Sequence, residues 1–206
     1  MRIPSKEKFL KGIAAFEKRE KRDAMYKVAS FLMSHFWGKP AAMADGLGVL
    51  LLTWNQGYYR YGSFDFAKLE RCIADSLDEL RSFRKRDIFS LTRGDERRIK
   101  SLFIHFLKAL RRIKSGKKGK VTRSPVAVAK ALHMLAPGFF PLWDYEIARA
   151  YGCSYYTNPG QSYLVFCRLM RDMANTVKNY VNSRTDKTLL KLIDEYNYAK
   201  YTQGWI

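Results

Sequence analysis

A lysine and an aspartate in the second half of the chain stand out by their types and their positions. Lys130 is the only Lys or Arg in the sequence between Val126 and Asp144, which follows it by 14 positions. A lysine amine is a nucleophile once it is neutral, and burial or neighbouring cations can lower its pKa enough for that. A carboxylate can act as a base or stabilise a developing positive charge. The two side chains can therefore do nucleophilic and acid–base chemistry if the fold brings them together.

Two helices joined by an apolar connector must position these residues. Ser124 is a good N-cap and Pro125 suits the first helical position, so we expect the first helix to begin there. The residues that repeat at helical spacing after it form an apolar stripe of Val128, Ala131, Leu132 and Leu135. Pro137 and Gly138 end this helix. The connector FFPLW then leads to Asp144, which sits where a second helix begins.

The stretch LWDYEIAR resembles the catalytic segment of the helix-hairpin-helix DNA glycosylases, whose members include the archaeal-type 8-oxoguanine glycosylases. The connector of that family ends in a pattern like V-D-x-H-[IV]-x-R, which Asp144, Ile147 and Arg149 match at the same spacing. The resemblance implies that Asp144 is the catalytic carboxylate. Bifunctional members carry a lysine on the preceding helix, which makes Lys130 the candidate lyase nucleophile. Glu146 stands where the family has His, and SGKKGKVTRSP replaces the family's G-[IV]-G hairpin.

The resemblance also implies a function and a set of site residues. Such enzymes flip a damaged or mismatched base out of double-stranded DNA and excise it, in some cases cutting the strand as well. No cofactor or metal is needed. The aromatic candidates for the base pocket are Trp143, Tyr145, Phe140 and Trp54. The stretch LLLTWNQ resembles the family's wedge loop, so Gln56 and Asn55 are candidates to fill the gap left by the extruded base, although they could equally form a helix end and a turn.

The charge of the chain is concentrated in one segment. The sequence has 38 Lys or Arg and 19 Asp or Glu, a net charge of +19, and residues 81–123 hold 16 of the basic and 3 of the acidic residues. Such an excess favours a nucleic-acid partner. We expect the loop before the Lys130 helix to grip the DNA backbone in place of the family's hairpin. The backbone-binding candidates are Lys117, Lys118, Lys120, Arg123, Ser124 and Arg149.

The apolar spacing along the chain predicts an all-α fold of eight or nine helices in one domain, residues 1–206. Two small lobes with a cleft between them are an alternative division, with 41–123 in one and 1–40 plus 124–206 in the other. Three widely spaced cysteines predict neither a disulfide framework nor a metal site. No stretch is apolar enough for a membrane helix or a signal peptide. We expect a monomer inside the cell, in the cytoplasm or at the nucleoid.

Other interpretations of the same residues stay open from the sequence. Asp144 could serve only as a helix N-cap, and Lys130 could be a solvent-facing helix residue. The aromatic candidates could belong to the core. The chain could then be a non-catalytic DNA- or RNA-binding protein, or a helical protein whose basic face meets an acidic protein. Steep salt dependence of duplex binding would separate phosphate binding from the last of these.

Overall fold

The computed structural model describes residues 3–60, 62–114, 122–181 and 186–206. Within these ranges the chain forms eleven α-helices and one two-stranded antiparallel ladder. The helices are α1 (Lys6–Arg19), α2 (Ala24–His35), α3 (Pro40–Trp54), α4 (Gln56–Tyr59), α5 (Phe66–Asp75), α6 (Leu77–Arg84), α7 (Asp95–Ala109), α8 (Pro125–Leu135), α9 (Tyr145–Ala150), α10 (Pro159–Val177) and α11 (Leu189–Asn197). The strands are β1 (Gly62–Ser63) and β2 (Ile113–Lys114), and a π-helical turn, Tyr198–Thr202, follows α11.

The all-α class expected from the sequence is confirmed, but the expected number of helices was too low. Residues 64–80 have the apolar spacing of one helix, but the chain is divided at Ser76, which ends α5 and begins α6 with non-helical backbone angles. The single turn of α4 adds a further helix directly after α3.

The two central helices, α3 and α8, are held by close contacts. Helix α3 packs against α2, α5 and α8, while α8 also packs against α2 and α7. Gly48 in α3 lets α5 approach, since a Cβ at this position would lie 2.3 Å from the ring of Phe66. Helix α8 begins as expected: the Ser124 hydroxyl accepts the backbone N–H of Ala127 at 3.2 Å, and Pro125 is the first helical residue.

A single cluster of buried apolar side chains extends from α1 to α11, so both of the proposed lobes contribute to one core. Helix α1 packs against α11, and α9 packs against the π turn that follows α11. These contacts bring the first and last described helices to the α8–α9 connection. No helix in the described ranges is both long enough and apolar enough to cross a membrane.

A buried ion pair fixes the link between α6 and α7. The guanidinium of Arg86 donates to both carboxylate oxygens of Asp95 at 2.7 Å, and the Asp95 side chain is only 5% exposed. The backbone N–H and the hydroxyl of Thr92 donate to the same carboxylate at 2.9 and 2.8 Å. The bonds from Arg86 and Thr92 lower the pKa of Asp95 far below its usual value.

Candidate active site

A cavity of about 250 Å³ lies where α1, α2, the end of α3, the α8–α9 connection and α11 meet. Lys130 and Asp144 both line it, so the fold brings the two sequence candidates into one site. The residues that form its walls are Phe16, Glu20, Asp23, Ala24, Met25, Tyr26, Trp54, Lys130, Leu142, Trp143, Asp144, Ile147, Lys191, Asp194 and Tyr198.

The Lys130 side chain is held by neutral acceptors at the end of α3. Its Nζ donates to the backbone oxygen of Trp54 at 3.2 Å and to Oδ1 of Asn55 at 2.7 Å, and lies 4.5 Å from the centroid of the Trp54 ring. Burial lowers the pKa of Lys130 from 10.5 to about 8, although the charges of Asp194 and Asp144 act in the opposite direction. A neutral amine has two N–H groups and one lone pair. The two acceptors match those N–H groups, which leaves the lone pair for an electrophile.

Asp144 is both an N-cap and a cavity residue, so the two interpretations of this residue are compatible. Its Oδ1 accepts the backbone N–H of Ile147 at 2.8 Å and thereby caps α9. Its Oδ2 accepts the hydroxyl of Thr202, in the π turn, at 2.5 Å. Because each carboxylate oxygen has a donor, the orientation of the group is fixed before any ligand arrives.

Two charged residues of α11, Asp194 and Lys191, also line the cavity, and sequence reasoning did not select them. Burial raises the pKa of Asp194 to about 7; the carboxylates of Asp144, Glu195 and Asp23 act in the same direction, and Lys191 in the other. Lys191 Nζ lies 3.0 Å from Asp23 Oδ2, 3.6 Å from Glu195 Oε1 and 3.9 Å from Asp194 Oδ2.

The environments of the two cavity lysines differ. Lys191 lies within 4 Å of three carboxylates, so its positive charge is compensated. The hydrogen-bond acceptors of Lys130 in the described chain are both uncharged. Of these two lysines, Lys130 is therefore the one whose amine is not held in an ion pair.

Two of the four aromatic candidates, Trp54 and Trp143, line the cavity. Trp143 is 1% exposed, and its Nε1 has no hydrogen-bond partner in the described chain. The placement of Phe140 in a base pocket is corrected: its ring is fully buried in the core against Phe83 and Phe139, with centroids 5.0 and 5.1 Å away.

Tyr145, the fourth aromatic candidate, does not line the cavity either. It is 42% exposed and contributes to a separate small hollow with Arg149, Tyr155 and Tyr156. The sequence shows that residue 145 is aromatic, but it does not show the direction of the Tyr145 side chain in the first turn of α9.

The two wedge candidates have different surroundings. Gln56 is exposed at the start of α4. The Asn55 side chain instead points inward to Lys130, and its Nδ2 is buried without a partner among the described residues. Its position assigns Asn55 to holding the lysine, whereas the wedge role of Gln56 stays a prediction.

The described backbone-binding candidates differ in their exposure. Lys117, Lys118 and Lys120 lie outside the described residues. Arg123 is exposed, whereas Ser124 is 7% exposed and uses its hydroxyl as the α8 cap. The Arg149 side chain is 70% exposed and pairs with Glu146 at 2.8 Å.

Comparisons with protein-family models, curated proteins and solved structures found no match to this chain. The part of the chain that the structure describes contains no group of three or more His, Cys, Asp or Glu side chains arranged to hold a metal ion. What the site can do therefore follows from its side chains: a nucleophilic amine, a fixed carboxylate, a second carboxylate that titrates near neutral pH, and aromatic walls.

Proposed function

We propose that this protein is a DNA N-glycosylase with an associated lyase step, acting on a damaged or mismatched base that has left the duplex. The observation that supports this proposal is the presence in one cavity of the buried, pKa-lowered Lys130 and the doubly hydrogen-bonded Asp144. The family resemblance of the α8–α9 segment supports the same chemistry. The high net charge of +19 suits a polyanionic substrate.

In the proposed reaction the neutral amine of Lys130 attacks C1′ of the deoxyribose. The N-glycosidic bond breaks, and its electron pair leaves with the base, which takes up a proton. The new C–N bond becomes a Schiff base when the sugar ring opens and the amine loses its protons. Loss of a proton from C2′ then expels the 3′ phosphate and cuts the strand. Water finally hydrolyses the Schiff base and releases Lys130.

Each carboxylate has a distinct part in this scheme. Positive charge builds on the sugar as the base departs, and the fixed anion of Asp144 stabilises it. Asp194 lines the same cavity as Lys130, and burial raises the pKa of its carboxyl toward neutral pH, so it can accept the proton of the lysine.

The cavity walls suit a single flat base. The cavity volume of about 250 Å³ is slightly smaller than the roughly 300–1,000 Å³ of cavities that bind drug-sized ligands. Trp54 offers aromatic surface on which an extruded base can stack. Trp143 is 1% exposed and closes the cavity on the side of the core.

The test is covalent trapping. The protein is incubated with duplexes that each carry 8-oxoguanine, uracil, thymine opposite guanine, or an abasic site, and borohydride is added to reduce any Schiff base. We expect a trapped complex that disappears in Lys130→Gln and persists in Lys11→Gln, a matched change on the exposed face of α1.

Two other results would change the proposal in different ways. Base release revealed by alkali, with no trapped complex, would mean a monofunctional enzyme that depends on Asp144. No release from any duplex, together with tight and salt-sensitive binding, would replace the proposed enzyme with a non-catalytic nucleic-acid-binding protein.

A further inference from the structure

A basic groove lies between α5 and the end of α7, away from the residues predicted to bind DNA except for Arg123. It has a volume of about 620 Å³. Its basic lining side chains are Lys68, Arg71, Lys108, Arg111 and Arg123. Asp75 is the only carboxylate among its described lining residues. The groove thus combines five cationic side chains with one acidic side chain.

Most of this positive charge is not compensated within the described chain. Lys68 pairs with Asp65 at 3.3 Å. Arg71, Lys108 and Arg111 are exposed and form no ion pair with any described residue, and the same holds for Arg123. Unpaired cations on both walls of a groove repel one another, and an anionic ligand between them removes that repulsion.

A shallow hollow has lining residues in common with both the groove and the cavity. The hollow has a volume of about 410 Å³ and runs along the end of α3 and the start of α8. It shares Trp54 with the cavity and Arg123 with the groove. Its other lining residues include Gly57 and Pro125, which have small or compact side chains. The cavity, the hollow and the groove are therefore neighbouring features of one region of the protein.

We infer that the basic groove binds the phosphate backbone of the DNA strand that carries the extruded nucleotide, on one side of that nucleotide. This inference rests on the proposed function for the identity of the strand, since the hollow beside the groove shares Trp54 with the cavity that would receive the extruded base. A phosphodiester backbone supplies one negative charge per nucleotide along a line, which suits cations spread along a groove. Contacts of this type position the strand without reading its sequence.

The test compares two triple variants that each remove three positive charges. The groove variant is Arg71→Gln/Lys108→Gln/Arg111→Gln, and the control is Lys6→Gln/Lys8→Gln/Lys11→Gln on the exposed face of α1. The dissociation constant for a duplex with an abasic-site analogue is measured across a salt series. Each lost phosphate contact lowers the slope of log affinity against log salt by about 0.9. We expect the groove variant to lose roughly 2–3 units of slope, and the control to lose none.

A second measurement places the contacts on one strand. The lesion strand is shortened stepwise on its 5′ side in one series and on its 3′ side in another. We expect shortening on one side to weaken binding of the wild type but not to weaken the groove variant further. Such a result is the coupling expected when two changes remove the same contact. Thermal melting confirms that both variants are folded.

The outcomes separate the groove from the chemistry. Equal salt slopes in the groove variant and the control, or equal sensitivity to shortening in wild type and groove variant, would overturn the inference. Absence of both base release and any trapped complex, with the slope difference intact, would refute the proposed glycosylase and leave the groove as a nucleic-acid site.

Discussion

The hydrogen bond from Lys130 to Asn55 allows a direct test of how the lysine is activated. The amine is kept at a low pKa because it is buried and its nearest acceptor, Asn55 Oδ1 at 2.7 Å, is uncharged. Asn55→Asp keeps the shape of the side chain and puts a carboxylate at that contact. We expect this single change to raise the pKa of the lysine and to remove most of the neutral amine that is present at pH 7.

The size of the effect follows from the contact. An opposite charge this close raises the pKa of a cationic group by about 1–3 units. The pKa of Lys130 should therefore rise from about 8 to roughly 9–11 in the variant. At pH 7 the neutral fraction would fall from about one tenth to between roughly one hundredth and one ten-thousandth. The rate of Schiff-base formation should fall by the same factor, about 10–1,000-fold, and recover as the pH is raised.

Two assays measure this change independently. Competitive acetylation followed by mass spectrometry of the peptide that contains Lys130 gives the pKa of the amine without any DNA. Borohydride trapping on an abasic-site duplex, repeated over a pH series, gives the pH dependence of the reaction. The matched control is Asn158→Asp, which makes the same chemical change at the exposed N-cap of α10, where Asp caps as well as Asn.

The reasoning would be refuted by either of two results. One is a wild-type Lys130 that is acetylated with the pH profile of an ordinary lysine, since burial would then not activate it. The other is an Asn55→Asp variant whose acetylation and trapping profiles coincide with those of Asn158→Asp. In that case the contact with Asn55 would not control the charge of the lysine.

Three further predictions concern single residues. Asp144→Asn should reduce single-turnover excision by about 100-fold or more but leave the melting temperature nearly unchanged, because Asn is an equally good N-cap; unchanged excision would exclude Asp144 from catalysis. Gly48→Ala should lower the free energy of unfolding, measured by chemical denaturation, by about 1–3 kcal/mol. Gly57→Ala should leave it unchanged, because the new methyl group has no neighbouring atom within 4 Å. Equal losses in the two variants would contradict the packing argument. Asp95→Asn should lower the free energy of unfolding by about 3 kcal/mol at neutral pH. Because folding lowers the pKa of Asp95, the difference in free energy of unfolding between wild type and variant should have its full value above about pH 4 and decrease as the pH falls below that. A difference that does not depend on pH would contradict the ion-pair assignment.

The sequence predicted the segments whose boundaries depend on neighbouring residues. The start of α8 at Ser124 and the start of α9 at Asp144 were correct, since N-caps act within three or four residues. The joint presence of Lys130 and Asp144 in one cavity agrees with their selection as a pair. Local signals and a short, turn-bounded connector were sufficient for these features.

The sequence could not predict the parts of the site that depend on distant packing. Thr202 bonds to Asp144 across 58 positions, and Asp194 reaches the cavity only because α11 packs near the α8–α9 connection. Nothing in the local pattern of α11 marks Asp194, which is one of several charged residues on that helix. Phe140 was misplaced because aromatic type does not tell a core position from a cavity wall.

The cavity takes residues from α1, from the middle of the chain and from α11. During translation Lys130 is therefore synthesised before α11, the helix that completes the cavity around it. Until α11 docks, water reaches the amine, its pKa is that of a free lysine, and it stays protonated. Nascent and misfolded chains thus carry Lys130 as an ordinary lysine, without the lowered pKa that burial gives it in the folded protein. The nucleophilicity of the Lys130 amine is a property of the complete fold, so its reactivity can serve as a probe of folding.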